Sequence, residues 1–367
     1  MLSYGLSPTS GVVGAVAELS REIVRAGHDV DLLIPGAWPG TDPSVLADLR
    51  EAGVIIHLVA GDNRRTIART IVERIDAAGS DVVNIHNGFS PMNNLVARLT
   101  SAPYVVTTHG VYATESLTHH GGRKRLAIAL TERRLLRKAA AVTALTPVEA
   151  DEVAQVARGV SADVLPLGFE RSSAPVDRTA LRHELGLAAD APVVLFGGRM
   201  DVYMKRLDAL VRGVADAPNW HLVLMGADFK NGRADLERLV AELQVESRVR
   251  FLEPRSGHAL NNAFAGATLT ALVSRWEGLP RGLIEPMLLQ MPALVSDEVE
   301  RRVPVVADGG GWLTNPDAVG AALRSIEQLS ATERQEAGLR AGAIAERYLW
   351  PSVLPHWIQM FERVVGG

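Results

Sequence analysis

The sequence predicts an α/β protein made of two doubly wound domains, each a parallel sheet with helices on both faces. Short apolar runs alternate with helical patterns from one end of the chain to the other, which is the pattern of parallel sheets rather than of hairpins. A length of 367 residues suits about two domains, with enough apolar content for two cores. Near the middle, residues 168–177 interrupt the rhythm with turn and linker residues.

The elements follow in order. Only residues 1–6 precede the loop 7–14, so the first strand is either short or entered part-way. A helix is expected over 15–26, with Gly11 and Gly14 in the loop before it. Strands are expected at 30–34, 54–59, 82–85, 104–108, 141–145 and 164–165, then at 193–196, 222–225, 249–252, 269–273 and 293–295. The tail carries apolar residues at Val353, Trp357, Ile358, Met360, Phe361 and Val364, and a helix with such a face must bury it against something. The interruption at 168–177 places one domain at 1–170 and the other at 171–350.

Bulk composition narrows the function. Hydrophobic residues make up 47% and charged residues 22% of the chain, as in an ordinary globular protein. A formal charge of −4 argues against a general nucleic-acid binder. There is no run of eighteen apolar residues, and no secretory leader opens the sequence. A cytoplasmic location is the expectation. The absence of cysteine excludes disulfides, thiolate nucleophiles and cysteine-ligated zinc. The ten histidines lack metal-site spacing, and the pair His119-His120 reads as a solvated loop. No metal or cofactor is expected.

Glu277 and Glu285 form the most informative pair. They lie eight residues apart across a strand, a glycine-containing turn and a helix start. Such a turn presents backbone N–H groups and the positive end of a helix dipole, with carboxylates to accept from hydroxyls. Phosphate beside sugar fits that surface; two solvated glutamates near a helix N-terminus are the alternative. Gly198, Arg199 and Lys205 follow the strand at 193–196, at the carboxyl end where open α/β sheets bind ligands. The planar fork of arginine suits phosphate oxygens. Gly11 and Gly14 precede a helix in the other domain, where glycine lets a backbone approach a ligand or simply makes a tight turn. His109 and His86 each end a strand, and each could donate to a sugar or phosphate or cap its strand. Between Arg123 and Lys138, seven cations oppose only Glu132, interleaved with leucines and an isoleucine. A basic amphipathic helix of that kind suits an anionic membrane or an acidic lipid-linked substrate, or is a solvated face.

Taken in order, these residues resemble the retaining GT-B glycosyltransferases of glycosyltransferase family 4, also called glycosyl transferases group 1. The resemblance spans nearly the whole chain. It rests on the loop around Gly11 with Leu19 and Ala26-Gly27-His28-Asp29-Val30, on Thr107-Thr108-His109-Gly110-Val111, on Ala144-Leu145-Thr146-Pro147-Val148-Glu149 and on Leu165-Pro166-Leu167-Gly168. It continues with Gly198-Arg199, Lys205, Glu277-Gly278-Leu279-Pro280 and Glu285. It implies two Rossmann-like domains facing a central cleft, and a nucleotide sugar held mainly by the second domain. Glu285 would take the ribose hydroxyls, Arg199 and Lys205 the diphosphate, and Glu277 with the N–H groups of Gly278 and Leu279 the transferred sugar. Gly11 and His109 would close from the first domain, and the tail, 351–367, would cross back to complete that domain. No metal would be needed, because the two cations replace it. The sequence departs from the family pattern at Ser10-Gly11, at Arg206 and at Gln290-Met291-Pro292.

The implied function is transfer of a sugar from a nucleoside diphosphate sugar to an acceptor hydroxyl, in glycan, glycolipid or natural-product glycoside synthesis. A lipid-linked acceptor and peripheral membrane contact through 123–138 are compatible with it. The alternatives are a nucleotide-sugar epimerase or hydrolase on the same fold, and a non-catalytic sugar-nucleotide-binding protein.

Overall fold

The computed structural model describes residues 1, 11–35, 43–118 and 121–366. The loop 7–10, the opening strand at 2–6 and His119-His120 lie outside the described residues. The chain divides into two compact units, Met1–Gly168 with Trp350–Gly367, and Phe169–Leu349.

Among the described residues, the first unit pairs β1 (Asp31–Pro35) with β2 (Ile55–Val59) in parallel. It also holds a four-stranded parallel sheet in the order β3 (Val83–His86), β4 (Tyr104–Thr107), β5 (Ala141–Ala144), β6 (Asp163–Val164). Every residue of β3 and β4 is buried. Helices cover such strands on both faces, so the polar residues among them, Asn84, His86 and Thr107, are buried with the apolar ones. Ile85, Val106, Tyr112, Leu135, Val142 and Val153 share the core beneath them.

The first helix runs Gly11–Arg25, one turn longer than the sequence predicts. Gly11 and Gly14 are therefore inside its opening turn and not in a preceding loop. The cost of glycine in a helix is about 1 kcal/mol. The apolar face of Val13, Val16, Leu19 and Ile23, all buried, outweighs it. The helix Trp350–Gly366 packs within this same unit. Its buried face is Trp350, Val353, Trp357 and Met360, and the Trp357 indole N–H donates to the Pro166 carbonyl at 2.9 Å. Side chains of this size contribute about 2–3 kcal/mol each on burial.

The second unit is one six-stranded parallel sheet in the order β12–β11–β10–β7–β8–β9. The strands are β7 (Val193–Gly197), β8 (His221–Met225), β9 (Val249–Leu252), β10 (Leu269–Leu272), β11 (Ala293–Val295) and β12 (Gly311–Leu313). Counted from β7, the spatial order is that of the dinucleotide-binding fold. The direction of winding reverses between β7 and β10, and ligands bind at the carboxyl ends beside such a reversal. Sequence reasoning missed β12. Its residues, Gly-Trp-Leu after two further glycines, form no apolar run, and the strand is held by parallel pairing to β11.

Candidate active site

The site in the second unit is built on the two loops that flank the winding reversal. After β7 the chain passes Gly198 and Arg199 to Asp201, which caps the short helix Val202–Lys205 by accepting from the Met204 N–H at 3.0 Å. After β10 it passes Ser274 and Glu277, then turns through Gly278 and Leu279 into the helix Arg281–Leu288. Close backbone approach makes the floor. A Cβ on Gly226, where φ is +151°, would sit 1.9 Å from the Gly198 carbonyl oxygen, and one on Gly282 would sit 2.5 Å from the Gly197 oxygen. Only glycine lets the β8 turn and the helix N-terminus come this near to the β7 loop. The opening turn of that helix supplies N–H groups with no intrahelical acceptor.

Lys205 and Glu277 meet directly. The lysine Nζ donates to both carboxylate oxygens, at 2.6 and 2.8 Å. Their side chains are 16% and 6% exposed. The Ser274 hydroxyl donates to the same carboxylate at 2.5 Å. Arg199 is more open. Its guanidinium lies 4.2 Å from the centre of the Phe229 ring and 3.7 Å from Asp201, which holds the fork over an aromatic face without consuming its donors. Glu285 sits in the second turn of its helix and accepts from Arg281 at 2.8 Å. Arg281 in turn lies over the Phe169 ring at 4.9 Å. Glu285 also borders a cavity of about 230 Å³ lined by Arg178, Asn261 and Leu288. Among the described residues, no group of three or more histidine, aspartate or glutamate side chains could hold a metal ion.

In the first unit, β4 ends beside His109, whose backbone is left-handed at φ +53°. Glu149 holds it there. This fully buried carboxylate accepts from the Thr108 hydroxyl and the Gly110 N–H, on either side of His109, and from the Leu145 N–H at 2.8 Å. Thr146 caps the helix Pro147–Val156 by accepting from the Glu149 N–H at 3.2 Å. The spacing Thr146-x-x-Glu149 is a capping-box pattern, the one signal by which the sequence could have marked this carboxylate. His86 ends β3 and its Nδ1 lies 2.9 Å from Nε2 of His109. Loss of surrounding water, with His109 adding, holds His86 well below the ordinary histidine pKa; the same desolvation lowers His109 to about 4.

Residues 10–168 match the family described as glycosyl transferase 4-like domain, and residues 177–345 match glycosyl transferases group 1. The chain belongs to the group 1 glycosyltransferases. Its fold is GT-B, with two Rossmann-like domains. It is 30% identical over 270 residues to a D-inositol 3-phosphate glycosyltransferase of Nocardia farcinica, over 68% of this chain and 58% of that protein. The chain therefore spans little more than half the length of that relative. It is 26% identical over 341 residues to a GDP-mannose:cellobiosyl-diphosphopolyprenol alpha-mannosyltransferase of Xanthomonas campestris, covering 89% of this chain and 86% of that one. Among solved structures, the Anabaena protein HepE in complex with UDP-glucose superposes with a TM-score of 0.81 at 18% identity, over 99% of this chain and 98% of that one.

Proposed function

We propose that this group 1 glycosyltransferase moves a sugar from a nucleoside diphosphate sugar to an acceptor hydroxyl, with retention of configuration and without a metal ion. The observation that carries the reading is the Lys205–Glu277 pair, with Arg199 on the segment leading to Lys205, at the winding reversal of the second unit. Lysine has three N–H donors and here spends two on Glu277, so its charge is held in place for a diphosphate. Arg199 supplies a second, forked cation. As the bond from sugar to phosphate breaks, negative charge grows on the departing diphosphate, and fixed cations lower the barrier by meeting that charge. Glu277 accepts from hydroxyls of the transferred sugar, aided by the N–H groups of Gly278 and Leu279. His109 and Gly11 are assigned to sugar and phosphate. The acceptor attacks the face from which the diphosphate departs, and a diphosphate oxygen takes its proton. GDP-mannose, named for the Xanthomonas relative, and UDP-glucose, bound in the Anabaena structure, make guanosine and uridine diphosphate sugars the first to try. Product analysis with and without acceptor separates transfer from hydrolysis or epimerisation.

Glu285 is assigned to the ribose hydroxyls. Glu285→Ala is expected to weaken binding of the nucleoside diphosphate by about 1.5–3 kcal/mol, the worth of hydrogen bonds to a charged acceptor. Calorimetric titration checks this, and unchanged affinity would remove the ribose assignment.

A second reading concerns where the acceptor lies. The basic stretch folds as the helix Gly121–Ala127, a π-helical turn Ile128–Glu132 and the helix Arg133–Lys138. Glu132, its single carboxylate, points inward. It is fully buried and accepts from the Phe89 N–H, the Asn94 amide and the Tyr112 hydroxyl. The outer face keeps Arg123, Arg125, Arg134, Arg137 and Lys138 with Leu126 and Leu130, which are 61% and 64% exposed. Cations around protruding leucines favour docking on an anionic membrane that carries the acceptor. Among the described residues, no helix is long and apolar enough to cross a membrane. Sedimentation should show binding to anionic but not neutral vesicles, weakening with salt as charges are screened beyond about 8 Å. Equal, negligible binding to both at low salt would reduce the stretch to a solvated face.

A further inference from the structure

His86 is 1% exposed, and the chemistry assigned above leaves its side chain unused. Its Nδ1 meets Nε2 of His109 at 2.9 Å, and the two rings are tilted by 38° with centroids 5.2 Å apart. Both rings are neutral near pH 7, because desolvation lowers both pKa values. One hydrogen bond between two neutral imidazoles holds one proton, which can belong to either ring.

The two placements differ in what they leave buried. If His109 Nε2–H donates, His86 accepts at Nδ1 and must carry its own proton on Nε2. That nitrogen is buried and has no hydrogen-bond partner among the described residues. If instead His86 Nδ1–H donates, the partnerless Nε2 holds only a lone pair. Orphaned buried N–H groups are rarer than under-satisfied acceptors, since a lost donor forfeits its full hydration. The second placement is favoured, and His109, bare at Nε2, then carries its proton on Nδ1.

We propose that His86 is a positioning residue that fixes His109 as the Nδ1–H tautomer, so that His109 meets the transferred sugar as a hydrogen-bond donor to a hydroxyl oxygen. The second half rests on the assignment of His109 to the sugar made above. The backbone of His109 is held independently, by Glu149 through Thr108 and Gly110. A change at His86 therefore acts on the ring's proton more than on its place.

The test reads the tautomer directly. With histidine labelled in nitrogen-15, long-range proton–nitrogen correlation spectra separate protonated from bare ring nitrogens, and the His109 signals are those lost in His109→Gln. The wild-type protein is expected to show His109 protonated on Nδ1. His86→Asn keeps an amide N–H near the place of Nδ1 and should preserve that tautomer and the turnover of UDP-glucose or GDP-mannose. His86→Phe fills the ring's volume without a donor. It should move His109 toward Nε2–H and lower kcat about tenfold, the usual scale for losing the partner behind a functional histidine, with KM less affected. Thermal melting of each variant confirms that it is folded. Nε2–H on His109 in the wild type, or an unchanged tautomer in His86→Phe, overturns the proposal. If the tautomers behave as expected but His109→Gln turns over nucleotide sugar like the wild type, the assignment of His109 to the sugar falls and only the tautomer control stands.

Discussion

Lys205→Ala is expected to lower turnover of the nucleotide sugar about a hundredfold or more, the usual cost of removing one fixed stabiliser of developing charge. It should also lower stability, because Glu277 is left buried at 6% side-chain exposure with no cation against it. Breaking such a pair from one side costs about 3–5 kcal/mol, and the partial exposure of Lys205 puts this case at the lower end. The two effects separate in the double variant Lys205→Met/Glu277→Gln. Removing both charges should restore much of the melting temperature while turnover stays low. Activity in the wild type should persist in EDTA. A Lys205→Ala enzyme with near wild-type rate would remove the cation from the mechanism, and loss in EDTA restored by magnesium or manganese would replace it with a metal.

Glu149→Ala should be the most damaging single change in the first unit. It strips the acceptor from the Leu145 and Gly110 N–H groups in a buried setting, while the Thr108 hydroxyl keeps the Thr143 carbonyl at 3.2 Å. Each unsatisfied buried donor costs about 1–3 kcal/mol, so the sum is about 2 kcal/mol or more. In a unit of this size that lowers the melting temperature by about 4 °C or more. Glu149→Gln keeps one carbonyl oxygen and should fall between. Melting of the alanine variant at the wild-type temperature would show that the left-handed His109 turn is held by something else.

The fold was largely legible because most of its strands are buried on both faces. The run 193–196 has no polar residue to disguise it, and in 104–108 the two threonines are buried along with the apolar residues. The reading failed at Gly311–Leu313, a three-residue strand defined by pairing rather than composition, whereas the partly exposed β2 was legible because its residues are mostly apolar. At the helix Gly11–Arg25, glycine read as loop was overruled by the apolar face behind it. In the site, the position of each charged residue could be placed at a strand end from sequence, but not its partner. Lys205 and Glu277 are 72 residues apart, and His86 and His109 are 23 apart. Both contacts depend on which strands lie side by side, and strand order is not written in local pattern. Glu149 stood inside a quoted motif, yet its carboxylate acts across 39 residues on the Gly110 N–H.

The glycine contacts beneath Arg199 bear on how this protein could be re-engineered. Because main chain touches main chain at Gly198–Gly226 and Gly197–Gly282, the floor of the crevice is a shape that no side-chain library can remould without prying strands apart. The side chains near it are different. Phe229 lies against Arg199, and Tyr203, 52% exposed, packs edge-on to Trp276. A search for altered sugar preference is best confined to such side chains, with positions 198, 226 and 282 held constant as the mould in which every variant is cast.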